Sequence, residues 1–117
     1  MTKYLLLLHE TPAQYASMSP AEMAQIIERY SAWAAGLAAR GRLVQGEKLV
    51  DDGGRQLRRG AAGVVAMDGP YAEAKDVIGG FFIIEAESHE AAQRLADDCP
   101  HLHGDNWIEV RAIDSMS

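Results

Sequence analysis

The sequence predicts an α+β domain built on an antiparallel sheet, and three observations lead to this prediction. Residues 5–8 and 81–84 are apolar at every position over the length of a short strand. Two segments, which open with a capping serine at Ser19 or Ser88, repeat apolar residues at helical spacing. Residues 106–113 alternate between two sets of side chains, which is the period of a half-buried strand.

The composition limits the organisation and the partners of the chain. The 117 residues are predicted to form one domain, residues 1–117, because 48% apolar and 24% charged residues are ordinary for a globular fold. The net charge of -6 opposes phosphate binding, so no nucleic-acid partner is expected. The leucine run at residues 5–8 is shorter than the roughly 7 apolar residues of a signal peptide or the roughly 20 of a membrane helix. We therefore expect no membrane association and a cytoplasmic location.

The first half of the chain predicts a strand followed by a long amphipathic helix. Residues 3–9 have the length of a strand and lead into polar residues. Ser19 and Glu22 have the spacing of a capping box, and Gly41 supplies the helix end. Gly36 lies inside this helix, which predicts close packing at that position. The apolar positions of the helix recur every three or four residues: Met23, Ile26, Ile27, Tyr30, Trp33, Ala34 and Leu37.

The second half of the chain predicts five strands and a second helix. The predicted strands cover residues 42–50, 55–59, 62–67, 79–86 and 106–113. The second helix runs from Ser88 to Cys99, and Pro100 ends it. The order of these elements is the split βαβ pattern of ferredoxin-like folds, with both helices on one face of an antiparallel sheet.

The predicted sheet has more apolar surface than two helices can cover. The strands at residues 5–8 and 81–84 are apolar on both faces, whereas the helices lie on only one of them. A second apolar face of this size is unusual for a monomer. We therefore predict a homodimer in which two sheets pack face to face and form a dimeric α+β barrel.

The most distinctive stretch reads Asp-Gly-Pro-Tyr-Ala-Glu-Ala-Lys at residues 68–75 and is followed by two glycines at 79 and 80. Two bends therefore bracket Asp68, Glu73 and Lys75. Such a connection can direct an acid and an amine into one cleft. The alternative is a polar turn in which Glu73 and Lys75 form a solvated pair worth about 0–1 kcal/mol. Both interpretations stay open.

This stretch, together with Ile-Gly-Gly-Phe-Phe-Ile-Ile at residues 78–84, resembles the hallmark of the DGPF branch of the YCII-related family, although Tyr71 stands where phenylalanine is usual. Residues 3–7, 41–47 and 108–111 support the resemblance, which therefore spans nearly the whole chain. It implies a ferredoxin-like fold, a dimeric α+β barrel and a cleft in each subunit. It implies no settled activity, and the frequent association of such genes with sigma factors implies a transcription-linked role.

Some members of the wider family resemble dehydrochlorinases, lyases that eliminate chloride from a hydroxymuconate-like acid. Their proposed catalytic pair is a histidine in the first helix and an aspartate near the end of the second. In this sequence the histidine position falls on or near Tyr30, and the aspartate position falls near residues 97–99. The chain therefore lacks that histidine. Tyr30, with an ordinary pKa of about 10, is a poor base near neutral pH.

Two further residues are candidates for the site. His9 ends the first strand and by strict alternation shares a face with Leu5 and Leu7. A histidine at a strand end beside a cleft suits general-base catalysis, and an edge histidine with satisfied hydrogen bonds is the alternative. Glu47 joins the acid-base candidates if it points inward, where burial would raise its pKa. The predicted ligand-binding residues are Glu47, Tyr30 and Tyr71.

The segment after the second helix contains a pattern that can bind a metal. His101, His103 and Asp105 offer two imidazoles and a carboxylate, but no second cluster supplies further ligands. A polar loop is therefore the favoured interpretation, and neither a metal nor a cofactor is predicted. Cys99 lies at a helix C-terminus, where the helix dipole raises a thiol pKa and does not favour a nucleophile.

The sequence supports two functional hypotheses. The first is a homodimer that binds a small molecule, such as a small organic acid, in a cleft near Asp68, Glu73 and Lys75. The alternative is a cofactor-free lyase or isomerase that acts by acid-base chemistry on a small carboxylate-bearing substrate. In that mechanism Lys75 binds the anion. Asp68 or Glu73 moves the proton, and His9 assists.

Overall fold

The computed structural model describes residues 1–68 and 76–115. Within them the α+β class predicted from the sequence is confirmed. The helices and strands are β1 (Thr2–Glu10), α1 (Pro20–Ala39), β2 (Leu43–Lys48), β3 (Arg55–Gly60), β4 (Gly63–Asp68), β5 (Val77–Ala86), α2 (His89–Ala96) and β6 (Trp107–Ala112). A single 3-10 turn, Pro12–Tyr15, lies between β1 and α1.

Four strands form one antiparallel sheet in the order β2-β5-β1-β6. Tyr4 pairs with Ile84, and Leu6 pairs with Phe82 across β1 and β5. Because β1 and β2 both run antiparallel to β5, they run parallel to each other with β5 between them. This is the predicted split βαβ arrangement, and a separate hairpin of β3 and β4 is inserted between β2 and β5.

One face of the sheet is buried under both helices and forms the core. Alternate residues of β1 and β5 point to this face, and among them Leu6 and Ile84 are fully buried. Burying each such side chain contributes roughly 1.5–3 kcal/mol to stability. The other buried apolar residues of the cluster are Tyr4, Leu8, Leu37, Phe82, Ala86, Ala92 and Ala96.

The opposite face of the sheet has no helix over it within the described residues. Here Leu7 is the cross-strand neighbour of Phe81, and Leu5 is the neighbour of Ile83. Trp107 of β6 lies on the same side, opposite His9. These side chains are half-buried or exposed, and we call this surface the open face. It is the apolar second face that the sequence predicts.

Local signals in the sequence explain where α1 begins and ends. The Ser19 hydroxyl accepts a hydrogen bond from the Glu22 amide, and the Glu22 carboxylate accepts one from the Ser19 amide, both at 3.1 Å. Gly41 follows the helix with a φ of 69°. The prediction of close packing at Gly36 is wrong, because a Cβ there would have no atom within 4 Å. Neither helix of the described chain is long and apolar enough to span a bilayer.

The β3–β4 hairpin is a two-stranded arm with little burial of its own. Every residue of β3 is exposed, including Leu57 at 68%. The Cα radius of gyration of 16.2 Å exceeds the roughly 13 Å expected for a compact chain of this length. The hairpin therefore adds apolar surface to the molecule without adding to its core.

Candidate functional site

A cavity of about 300 Å³ lies between α1, the 3-10 turn and strands β1, β2 and β5. We call it the α1 cavity. Its apolar wall is formed by Leu8, Met23, Ile26, Ile27, Ala34 and Phe82. Its polar groups include Glu10, Tyr15, Tyr30, Ser31, Lys48 and His101. A mostly apolar pocket with a few convergent polar groups is typical of a small-molecule site.

Glycines in the strands make room for side chains at the floor of the α1 cavity. A Cβ at Gly46 would overlap the ring of Phe82, and a Cβ at Gly79 would overlap the carboxylate of Glu10. Both glycines border the cavity. The absence of side chains at these two positions therefore lets Phe82 and Glu10 lie across the neighbouring strands.

A tyrosine and a histidine form a hydrogen-bonded pair in the α1 cavity. Tyr30 Oη lies 2.6 Å from His101 Nδ1, and His101 Nε2 lies 2.7 Å from the carbonyl oxygen of His9. A carbonyl oxygen only accepts, so the hydrogen of the neutral imidazole is on Nε2. Nδ1 therefore accepts the hydrogen of the Tyr30 hydroxyl.

Burial holds both members of this pair in their neutral forms. His101 is only 1% exposed, and burial lowers its pKa from the ordinary value of 6.5. Burial also raises the pKa of Tyr30 above its ordinary value, and the neighbouring Tyr15 adds to this effect. A second link holds the two segments together, because the Trp33 indole donates to the Asp98 carboxylate at 2.9 Å. The pair is therefore set in a fixed geometry at neutral pH.

Tyr15 brings a second phenol to the α1 cavity. Its oxygen accepts a hydrogen bond from Asn106 Nδ2 at 2.8 Å, and Asn106 Oδ1 accepts one from Gln14 Nε2. Burial raises the pKa of Tyr15, so the phenol keeps its hydrogen. Residues 1–68 and 76–115 supply no acceptor for that hydrogen.

The predicted site residues fall in different places. Tyr30 lines the α1 cavity, and Glu47 is exposed at its border. Asp68 ends β4 with a side chain that is 90% exposed, 4.0 Å from Arg55, and it does not line the cavity. The predicted roles of Tyr71, Glu73 and Lys75 lie outside the described residues.

The His9 side chain lies on the open face, away from the α1 cavity. It shares that face with Leu5 and Leu7, in accord with strict alternation. Its ring stacks on Trp107 at 3.7 Å between centroids, and its Nε2 lies 3.1 Å from a Glu109 oxygen. Only the carbonyl oxygen of His9 reaches the polar groups of the cavity, through His101.

The segment after α2 is a loop with exposed residues at 102–105, as the sequence predicts, but its first residue, His101, is not a solvated loop side chain. His101 is buried and hydrogen-bonded at both ring nitrogens. Among residues 1–68 and 76–115, no group of three or more His, Cys, Asp or Glu side chains is arranged to hold a metal ion. The sequence did contain a signal for His101. Tyr30 occupies an apolar position of α1, and a buried tyrosine hydroxyl needs a hydrogen-bonding partner.

Cys99 lies beside the Tyr30–His101 pair, and its surroundings disfavour the thiolate that a nucleophile needs. The thiol is buried, and burial raises its pKa to about 11. A thiol with this pKa carries almost no thiolate at neutral pH. The sequence predicts a raised pKa from the helix dipole, and in the structure burial is the main cause of the raised pKa.

Comparison with known families gives a match over nearly the whole chain. The model of the YCII-related domain matches residues 2–117. The chain belongs to the YCII-related domain family. No curated protein matches it. In this YCII-related domain, Tyr30 stands at or near the place where a helix histidine is implied for dehydrochlorinase-like members, and the imidazole beside it comes from His101.

Proposed function

We propose that this YCII-related domain binds a small, mostly apolar organic molecule in the α1 cavity, and that it does so as a homodimer. The observation that supports binding is the Tyr30–His101 pair at an apolar cavity of about 300 Å³. Ligand pockets of about this size commonly combine apolar walls with a few placed polar groups. The Tyr30 hydroxyl, which lines the cavity, is one such group.

A homodimer is supported by the open face. Leu5, Leu7, Phe81 and Ile83 form a contiguous apolar patch across β1 and β5. Residues 1–68 and 76–115 place no helix over this patch. A second copy that packs its own open face there would remove both apolar surfaces from water.

A small organic acid remains part of this proposal. Lys48 borders the α1 cavity, and its ammonium lies 3.1 Å from Asp51. A carboxylate ligand at this border would compete with Asp51 for Lys48. The sequence also predicts an anion-binding role for Lys75.

Filling the α1 cavity tests the binding proposal. Ala34 lines the cavity, whereas Ala35 is exposed and does not, so Ala34→Leu and Ala35→Leu are a matched pair. We expect small aromatic ketones, phenols and carboxylic acids to include probes that raise the melting temperature of the unmodified chain. At a free concentration of 100 times its Kd, a probe adds about 2.7 kcal/mol to the free energy of unfolding. Ala35→Leu should keep this gain and Ala34→Leu should lose it. Failure of every probe to raise the melting temperature of the unmodified chain would contradict the proposal.

Acid-base catalysis is the second candidate function, and the Tyr30–His101 hydrogen bond favours it. A bound molecule can give a proton to Tyr30 Oη while the hydroxyl hydrogen of Tyr30 moves to His101 Nδ1. The bond to the departing proton breaks, and its electron pair stays on the ligand. The resulting imidazolium would donate from Nε2 to the His9 carbonyl oxygen. This relay suits an isomerase or a lyase.

Deuterium exchange tests this second candidate. A small ketone that binds the unmodified chain should exchange its α-hydrogens with D₂O faster than it does in buffer, as NMR can follow. His101→Gln should bring the rate back towards that of buffer. An unmodified chain that gives no acceleration with any bound ketone would remove the relay and leave the binding proposal in place.

A further inference from the structure

Two phenols in the α1 cavity offer opposite hydrogen-bonding polarity. We infer that the cavity selects molecules that carry both a hydroxyl donor for Tyr30 and a carbonyl acceptor for Tyr15. This inference rests on the proposed small-molecule function and specifies its ligand class. The expected ligand is a compact hydroxycarbonyl compound with an apolar skeleton.

The polarity of Tyr30 is set by a chain of hydrogen bonds that starts at the backbone. The His9 carbonyl oxygen can only accept, so His101 Nε2 donates to it. Nδ1 of the same ring must then accept, and the Tyr30 hydroxyl donates to it at 2.6 Å. The hydrogen of Tyr30 is therefore already used. What Tyr30 offers to the cavity is the lone pair of its oxygen, which recognises a ligand donor.

The polarity of Tyr15 is set in the opposite sense. Asn106 Nδ2 donates to the Tyr15 oxygen at 2.8 Å, and Asn106 Oδ1 accepts from Gln14 Nε2. The Tyr15 oxygen already accepts, and its hydrogen has no acceptor among residues 1–68 and 76–115. What Tyr15 offers to the cavity is therefore a donor, which recognises a carbonyl oxygen.

The surroundings of the two phenols strengthen this selection. Tyr15 and Tyr30 line the same cavity, and burial, with a smaller contribution from the Glu10 carboxylate, raises the pKa of each phenol. The cavity as a whole is mostly apolar, with walls formed by residues such as Leu8, Ile26 and Phe82. A ligand that leaves one phenol without a hydrogen-bonding partner binds more weakly, because that phenol loses its water on binding and gains no hydrogen bond in return.

A set of matched probes tests the inference on the unmodified chain. The probes are 3- and 4-hydroxyacetophenone, their methoxy ethers, and 3- and 4-ethylphenol. The ethers lack the hydroxyl donor, and the ethylphenols lack the carbonyl acceptor. At least one hydroxyacetophenone should bind about 2- to 10-fold more tightly than both of its analogues by calorimetry.

Two variants assign each preference to its phenol. In Tyr30→Phe, the advantage over the methoxy ether should disappear while the advantage over the ethylphenol remains. In Tyr15→Phe, the reverse should hold. Melting curves show whether each variant is folded. If a variant is not folded, the relative affinities of the probes for the unmodified chain test the inference.

The outcomes separate this inference from the proposed function. Equal affinities for the hydroxyacetophenones and both sets of analogues would overturn the inference while binding in the cavity stands. Tighter binding of the methoxy ethers would also overturn it, because Tyr30 would then be a donor. If no probe of either polarity binds and no other small molecule occupies the cavity, the proposed function fails as well.

Discussion

Tyr30 Oη lies 2.6 Å from His101 Nδ1, although the two residues are 71 positions apart in the chain. The first belongs to α1 and the second to the segment after α2. The family resemblance implies a histidine on the first helix and a partner near the end of the second. Here the helix contributes the hydroxyl, and the segment after the second helix contributes the imidazole. The imidazole of this pair therefore comes from the segment after α2 and not from the first helix.

The stability of the protein should fall as the pH drops below about 6.5. Burial lowers the pKa of His101 in the folded state, so the unfolded chain takes up a proton more readily in this range. The contribution of His101 is fully present above its unfolded pKa of about 6.5, and its loss approaches 1.4 kcal/mol per pH unit until the lowered folded pKa is reached. Urea unfolding between pH 8 and pH 5 measures the change.

Two variants isolate the contribution of His101 to this pH dependence. His101→Gln removes the titrating group and should flatten the pH dependence in that interval. The exposed His89 is the control, and His89→Gln should keep the slope of the unmodified chain. Equal slopes for all three proteins would contradict the account of His101.

The Tyr30–His101 hydrogen bond should appear as a coupling free energy. Tyr30→Phe leaves His101 Nδ1 without its donor in a buried site, which costs about 1–3 kcal/mol. Because the two residues are in direct contact, Tyr30→Phe and His101→Leu should not add in the double variant. Denaturant unfolding of the four proteins gives the coupling. Strictly additive losses would mean that the hydrogen bond contributes nothing.

Two glycine-to-alanine changes should act in opposite directions. A Cβ at Gly80 would lie 2.8 Å from the Glu47 carbonyl oxygen, so Gly80→Ala should destabilise the sheet by about 1–3 kcal/mol. A Cβ at Gly36 would meet nothing within 4 Å, so Gly36→Ala should stabilise α1 by about 0.5–1 kcal/mol. Melting curves of the two variants measure both effects. A destabilised Gly36→Ala variant would contradict the open space around this position.

The proposed homodimer should depend on the open face. Light scattering at micromolar concentration should give twice the chain mass of 12.7 kDa. Leu7→Lys places a charge in the centre of the open face and should give monomers. Leu57→Lys on the exposed hairpin is the matched control and should stay dimeric. A monomeric unmodified chain would contradict the homodimer, as would a Leu7→Lys variant that still dimerises.

The strands, the helices and their order could be predicted because their signals are local. Apolar runs predict β1 and β5, and the Ser19 capping box predicts the start of α1. Alternation placed His9 on the same face as Leu5 and Leu7, but it does not say which face the helices cover. The face that the helices cover determines whether the His9 side chain points into the cavity. Packing of the whole sheet determines that face.

The centre of the candidate site could not be predicted because it depends on contacts between distant parts of the chain. His101 lies beside Tyr30 and the His9 carbonyl oxygen because α2, which precedes it, packs on β5 and β6. A register shift between Leu8 and His9 in the pairing with β5 lies at the same place. Neither feature leaves a periodic pattern in the sequence. The His-x-His-x-Asp spacing instead drew attention to metal binding.

The imidazole ¹⁵N signals of His101 offer the most direct test of the claim that the α1 cavity is a ligand site organised by Tyr30 and His101. His101→Gln assigns these signals. At pH 7.5 we predict a neutral ring with hydrogen on Nε2 and none on Nδ1, and a saturable shift of Nδ1 as 3- or 4-hydroxyacetophenone is added. The shift should be absent in Ala34→Leu. A ring with hydrogen on Nδ1, or signals that no probe changes, would contradict the account.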